Sequence, residues 1–280
     1  MLRFPSMAMK FYKYQGTGND FILVENLRGE IPEEKKALLA RRLCERRLGI
    51  GGDGLLLVEP SAVAPVRMRI FNPDGSEAEM CGNGIRCFAR HVCERRLTGG
   101  AEIAIETLAG VKHVTLQFQN GKVAGVRVEM GRPRDVVLEE RLEMGGREVV
   151  LSHLDMGVPH AVVLVEDLER VDVEGLGREI RHHPFFSKGT NVNFLQRLGE
   201  RAFRVRTYER GVEGETMACG TGTSACGVVA SLLYLPDGGG MEIRTQGGPL
   251  RVEVAKGAGG RVEKVFMEGP AELVFEGNVP

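Results

Sequence analysis

The chain has no excess of charge of either sign. Its 37 Lys and Arg residues face 38 Asp and Glu, for a net charge of −1 and a pI near 6.6. That leaves no electrostatic footprint for nucleic acid or an anionic membrane, so neither is expected as a partner. Long apolar runs are also missing. Residues 55–58 and 161–165 are among the longest, far short of the ~20 that a spanning helix needs. Residues 1–10 hold no apolar h-region, so no signal peptide is expected. Met7 and Met9 offer alternative starts, and 1–8 reads as an extension.

Several chemical signatures are absent too. None of the six cysteines forms a CxxC pair, which speaks against a zinc ribbon or a thioredoxin-type dithiol. Reduced thiols in a cytoplasmic protein are the expectation. GTGND (16–20) and GIGGDG (49–54) are not followed by Lys-Ser/Thr, so a P-loop is excluded. No G-x-S-x-G or HExxH occurs, and hydrolase chemistry lacks support. The adjacent His182 and His183 precede Pro184 and read as a capped helix end; no metal site is expected.

What is present is enough for two domains: 280 residues, 42% apolar and 27% charged. Short β-branched or alternating segments are numerous. They fall at 55–59, 67–71, 102–106, 112–118 and 123–129, then at 149–154, 161–165, 193–195, 203–208, 241–244, 250–254, 264–267 and 272–275. Four helices are expected, at 33–46, 85–96, 176–182 and 223–234. The last is apolar nearly all round and should be buried.

A weak internal repeat organises these elements. GSEAEMCGNG (75–84) superposes on EGETMACGTG (213–222), matching Cys81 with Cys219, Glu77 with Glu215, Gly82 with Gly220 and Gly84 with Gly222. Each copy follows a strand and precedes a helix. A nearly equal offset aligns residues 17–21 with 156–160. Four matched positions in matched contexts disfavour chance recurrence among 38 glycines. The expectation is an α+β protein of two pseudo-symmetric β/α domains. Each is a strand-rich curled sheet around a central apolar helix, with the active site in the cleft between them.

A CGxG sequence at a helix start has chemical meaning. The glycines allow close approach of backbone to ligand. The first helical N–H groups lack internal acceptors and attract a carboxylate. The same field favours a thiolate. Two such sites facing one another would hold a carboxylate with its α-carbon between two sulfurs. One sulfur would remove the α-proton and the other would deliver a proton to the opposite face. Cys81 and Cys219 are therefore the catalytic candidates, whereas Cys44, Cys87, Cys93 and Cys226 fall within expected helices and read as structural.

At this point the residues resemble a known family. The segments KFYKYQGTGNDFIL, RRLGIGGDGLLLVE, IFNPDGSEAEMCGNGIRCFARH, MGVPHAVV, GTNVNF, RTYERGVEGETMACGTGTSA and GPAELVFEG are similar to those of diaminopimelate epimerases. The likeness runs from about residue 9 to 277. It implies interconversion of LL- and meso-2,6-diaminopimelate with no pyridoxal phosphate, metal or other cofactor, in lysine and peptidoglycan-precursor synthesis. It implies one half at 9–127 plus 270–280 carrying Cys81 and another at 128–269 carrying Cys219. By motif, Gly82, Asn83, Gly220 and Thr221 would clamp the reacting carboxylate. Asn19, Asn72, Asn191, Glu209 and Arg210 would hold the rest of the amino-acid substrate. His160 and Glu209 would tune the thiol pKa values. A homodimer is compatible with the family, although no surface stripe demands one.

The chain departs from the family pattern at Val158, where many members carry Asn, and at Gly54, where many carry Gln. Distal recognition would then rest more on Asn72, Asn191 and Arg210, or on backbone groups. A proline or hydroxyproline racemase-like enzyme of the same fold is the nearest alternative. A non-catalytic thiol protein, acting as redox sensor or metal binder, is the alternative of a different class.

Overall fold

The structure, a computed structural model, describes residues 9–279. The expected extension at 1–8 lies outside the described residues. The chain forms two compact units. One runs up to Val128 and is completed by the segment from Pro270; the other is Glu129–Gly269.

In the first unit the sheet begins at the strand Glu272–Val279, followed by Met9–Gly16, Asn19–Glu25, Gly54–Glu59, Val66–Phe71, Glu102–Thr107, Gly110–Gln119 and Lys122–Gly131. Neighbours run antiparallel except at the third and fifth junctions, which are parallel. Helix α1 (Glu33–Cys44) packs on Gly54–Glu59 and Val66–Phe71. Helix α2 (Gly82–Glu94) touches strands from Met9–Gly16 round to Gly110–Gln119, so the sheet curls about it. The Gly54–Glu59 strand is buried at every position, as a central strand covered on both faces must be.

The second unit repeats this order. Its strands are Arg134–Met144, Arg147–Asp155, Pro159–Val165, Asn191–Arg197, Ala202–Glu209, Gly239–Thr245, Gly248–Lys256 and Val262–Gly269, with parallel junctions again third and fifth. Helix α3 (Val173–Arg181) covers Asn191–Arg197 and Ala202–Glu209, and helix α4 (Gly220–Tyr234) is wrapped by seven of the eight strands.

Register makes the repeat exact enough to number. Phe21 lies opposite Gly54 as His160 lies opposite Asn191. Leu55 faces Phe71 as Val192 faces Tyr208. Phe71 faces Glu77 as Tyr208 faces Glu215. The duplicated fold expected from the CGxG repeat is therefore present in the pairing itself.

Four details differ from the sequence expectation. Helices α2 and α4 begin at Gly82 and Gly220, three residues earlier than expected, because the glycines are themselves the first helical turn. Helix α3 begins three residues early, where the Asp172 carboxylate accepts from Gly175 N–H at 2.9 Å and caps it. The Met9–Gly16 strand is masked in sequence by Lys10, Lys13 and Gln15; Lys13 is nevertheless buried, its amine 2.6 Å from Asp20. Arg134–Met144 contains LEERLEM, a run of good helix formers, but pairing with Arg147–Asp155 overrides that propensity. His182 caps the end of α3 as expected, its N–H donating to Arg178 O.

Candidate active site

Each candidate thiol occupies the N-cap of the helix its unit encloses. Cys81 has extended backbone (φ −137°, ψ 120°) and its Sγ accepts from Gly84 N–H at 3.4 Å. Cys219 has nearly the same backbone (φ −116°, ψ 114°) and its Sγ accepts from Gly222 N–H, also at 3.4 Å. The main-chain oxygens close the first turns, accepting from Ile85 N–H at 2.9 Å and Thr223 N–H at 2.8 Å. Ser, Thr, Asp and Asn are the usual N-caps. A sulfur in their place receives a backbone N–H and the positive end of the helix dipole, both of which favour the thiolate.

The surroundings of the two sulfurs differ. Cys81 Sγ lies 3.9 Å from Asn19 Oδ1, which also accepts from Asn83 Nδ2 at 3.4 Å. Asn19 Nδ2 donates to Asp53 Oδ2 at 2.5 Å, which turns the amide oxygen towards Cys81. Asp53 belongs to the GIGGDG segment, which is no P-loop but carries part of the family likeness. Asp53 and Asp20 are both gripped by Arg46. Burial works to raise Asp20, but hydrogen bonds from Arg46 and Lys13 outweigh it and hold the carboxyl at about 2. Beneath the first turn, Arg86 is fully buried, and burial lowers its pKa to about 10. It donates to Gly82 O at 3.2 Å, Asn83 Oδ1 at 3.0 Å and Thr17 Oγ1 at 2.5 Å. Thr17 and Gly18 both have positive φ, 58° and 80°, and form a two-residue hairpin turn that presents Asn19. Asn72 sits in the NPDGS turn, where its Nδ2 donates to Ser76 Oγ at 2.9 Å.

In the second unit Cys219 Sγ lies 3.5 Å from Thr221 Oγ1. His160 is wholly buried, and burial lowers its pKa to about 3, so the ring is neutral. Its Nδ1 lies 3.3 Å from Asn193 Nδ2, while its Nε2 is buried with no hydrogen-bond partner among the described residues. Asn193 also receives Thr207 Oγ1 at 3.0 Å. It presses so close to the helix that a Cβ on Gly222 would lie 2.3 Å from its Oδ1. Asn191 Nδ2 donates to Pro159 O at 3.1 Å and its Oδ1 accepts Arg210 N–H at 2.9 Å. Asn191 thus braces the start of its strand against the end of the Ala202–Glu209 strand, where Glu209 and Arg210 lie. Glu209 Oε2 accepts from Thr216 Oγ1 at 2.9 Å, and Arg210 Nη1 donates to Lys188 O at 3.2 Å.

The two departures have structural counterparts. Gly54 is buried, and a Cβ there would sit 3.2 Å from Phe71 O and 3.4 Å from the Phe21 ring, so a side chain would require its neighbours to move. Val158 closes a three-residue loop after Gly157 (φ 97°), where the first unit uses the tighter Thr17–Gly18 turn.

Sequence reasoning missed Asp53, Arg86 and Asn193. Asp53 and Asn193 lie in segments the motifs had flagged, GIGGDG and GTNVNF, but nothing in their spacing shows which side chain turns inward. Arg86 follows the motif directly, yet a buried arginine is contrary to its residue type. The four remaining cysteines are embedded in helices; burial raises the Cys44 and Cys87 thiols to about 12 and raises Cys226 further still. Among the described residues no group of three or more His, Cys, Asp or Glu is placed to hold a metal ion, and no helix is long and apolar enough to cross a membrane.

Two units, each a curled sheet wrapped about one helix, define a class of duplicated α+β folds. A Bacillus anthracis phenazine biosynthesis protein of the PhzF family shares the fold at TM-score 0.76 and 18% identity, covering 98% of this chain and 99% of that one. A hydroxyproline epimerase from Agrobacterium vitis shares it at TM-score 0.71 and 18% identity, covering 99% and 94%. Within that class the sequence is specific. The diaminopimelate epimerase family matches residues 11–136 and 152–274, and a diaminopimelate epimerase from Moorella thermoacetica is 45% identical over 97% of this chain and 99% of its own length. The chain belongs to the diaminopimelate epimerase family.

Proposed function

We propose that the chain interconverts LL- and meso-2,6-diaminopimelate, with Cys81 and Cys219 as the two proton-transferring groups. The carrying observation is the duplicated N-cap: two thiols, each receiving a first-turn N–H at 3.4 Å, at the positions matched by the repeat. In this mechanism one sulfur is a thiolate and takes the α-proton, while the other is a thiol and returns a proton to the opposite face. Reversing the reaction exchanges their roles. First-turn N–H groups at Gly82–Asn83 and Gly220–Thr221 hold the α-carboxylate and take up the negative charge that develops on deprotonation.

The side chains around each thiol support distinct tasks. The Asn19 oxygen, fixed by Asp53, accepts from the protonated Cys81. The Thr221 hydroxyl can donate to the ionised Cys219. Neutral His160, with a buried nitrogen to spare, and Glu209 tune these thiols. Asn72, Asn191 and the fork of Arg210 read the distal amino-acid end. In this reading each half is an epimerase module, 9–127 with 270–280 and 128–269. It works in the cytoplasm, where thiols stay reduced.

A substrate panel tests the assignment. LL-diaminopimelate should be converted to the meso form while proline and hydroxyproline are left unchanged. Turnover of proline without turnover of diaminopimelate would assign the fold's alternative chemistry instead.

A further inference from the structure

The segment entering each cysteine is held by a duplicated clamp. Arg69 Nε and Nη2 donate to the two oxygens of Glu77, both at 2.6 Å. Arg206 Nε and Nη2 donate to the two oxygens of Glu215, both at 2.7 Å. By strand register Arg69 matches Arg206 and Glu77 matches Glu215. Each glutamate lies four residues before its cysteine. A second tie repeats as well: Ala109 N–H donates to Glu79 O at 3.2 Å, and Gly247 N–H to Met217 O at 2.9 Å.

These ties matter because the ladders beside them are short. Glu77–Ala78 pairs through two residues and Gly214–Thr216 through three. So little backbone pairing leaves the approach to the N-cap weakly fixed. A bidentate guanidinium–carboxylate fork supplies both the energy and the orientation that a two-residue ladder lacks. Each guanidinium is itself immobilised. Arg69 is 8% exposed and gripped on its other edge by both oxygens of Glu33 at 2.6 Å. Arg206 donates to Leu168 O at 3.0 Å.

We propose that Arg69–Glu77 and Arg206–Glu215 are positioning pairs, each setting the placement of the thiol in its own half and therefore that thiol's hydrogen bond to the helix. This rests on the assignment of both cysteines to proton transfer, but its test does not. The rate of alkylation of each thiol by iodoacetamide, followed across pH by peptide mass, reports thiol ionisation without any turnover. Glu77→Gln should raise the apparent pKa of Cys81 by about one unit, as expected for losing most of one hydrogen bond to the thiolate, and leave Cys219 unchanged. Glu215→Gln should do the converse. Both should lower kcat for epimerisation about tenfold or more with KM within about threefold, the pattern of a misplaced catalytic group.

Arg69→Lys and Arg206→Lys keep the charge but lose the fork, and should shift the same thiols in the same direction if the glutamine variants do not fold. Folded variants with parental alkylation profiles at both thiols and parental kcat would overturn the proposal. So would one substitution that shifts both thiols equally, which marks general loosening. Half-selective thiol shifts in a protein that does not turn over diaminopimelate would uphold the clamp and reject the substrate.

Discussion

Helices α2 and α4 hold equivalent places in the two halves, yet they are built differently. Five residues after each cysteine, Arg86 and Ser224 cover the same first-turn carbonyl, at 3.2 Å to Gly82 O and 2.9 Å to Gly220 O. Arg86 reaches onward to Thr17 and Pro270 and ties its helix to a hairpin turn and to the returning C-terminal segment. Among the described residues Ser224 Oγ makes no further bond, and the middle of α4 is seated by close apolar packing. A Cβ on Gly227 would lie 2.4 Å from Val252. Further along, His91 in α2 meets Tyr14 and Glu25 with its two ring nitrogens, at 3.3 and 3.0 Å, where α4 carries Val229. Along its inner face one half holds its thiol-bearing helix with buried side-chain hydrogen bonds and the other with close packing, while the far end of α4 is tied by the Lys256 amine at 3.0 Å to Ser231 O and 2.7 Å to Leu235 O. The cap is the same in both, as the proposed mechanism, which asks the same of both sulfurs, requires.

The comparison is broken most severely at the caps themselves. Cys81→Ser and Cys219→Ser should each lower epimerisation by on the order of 10³-fold, within the range of a lost acid–base group, with the fold retained by circular dichroism. Full activity in either variant would remove that half from the mechanism and leave a single-thiol enzyme.

The next effect separates the halves. Gly222→Ala places its Cβ 2.3 Å from Asn193 Oδ1, whereas Gly84→Ala meets Leu56 Cδ2 at 3.3 Å. Gly222→Ala should therefore cost a few kcal/mol, in the range of ~1–3 for overpacking, and displace the network joining Asn193 to His160. Gly84→Ala should cost well under half as much. Denaturant midpoints for the pair measure this; equal losses would mean that α4 is no more tightly seated than α2.

At neutral pH, where it is smallest, a third effect treats the halves alike. Burial pushes His91 and His160 each to about 3, against ~6.5 for an unfolded histidine. Between those values the unfolded chain binds more protons, so stability falls as pH drops from about 6.5 towards 3. The slope is at most ~1.4 kcal/mol per pH unit for each ring. His91→Gln and His160→Gln should each flatten this acid limb relative to the parent. An unaltered limb would show that the ring concerned is already protonated, or exposed, in the folded state.

Much of the comparison is visible before any coordinates. The CGxG pair, the glutamate four residues ahead of it and the apolar character of 223–234 all lie in the sequence, because local backbone needs and burial leave compositional traces. What was not legible depends on partners distant in the chain. Lys13 in a strand and LEERLEM in another become regular only through pairing across the sheet. Arg86 contradicts its residue type until Thr17, Asn83 and Pro270 supply acceptors. Asn191 illustrates a different gap: the motif match implies substrate contact, whereas its bonds to Pro159 O and Arg210 N–H depend on partners that spacing does not identify.

The division of labour between two sulfurs is tested most directly by epimerising LL-diaminopimelate in deuterium oxide and stopping at low conversion. If one thiol removes the proton and the other, exchanged with solvent, supplies its replacement, the meso product carries one deuterium at the inverted carbon and the recovered LL substrate carries essentially none. Meso product that keeps the original hydrogen, or LL substrate labelled as fast as product forms, would contradict it.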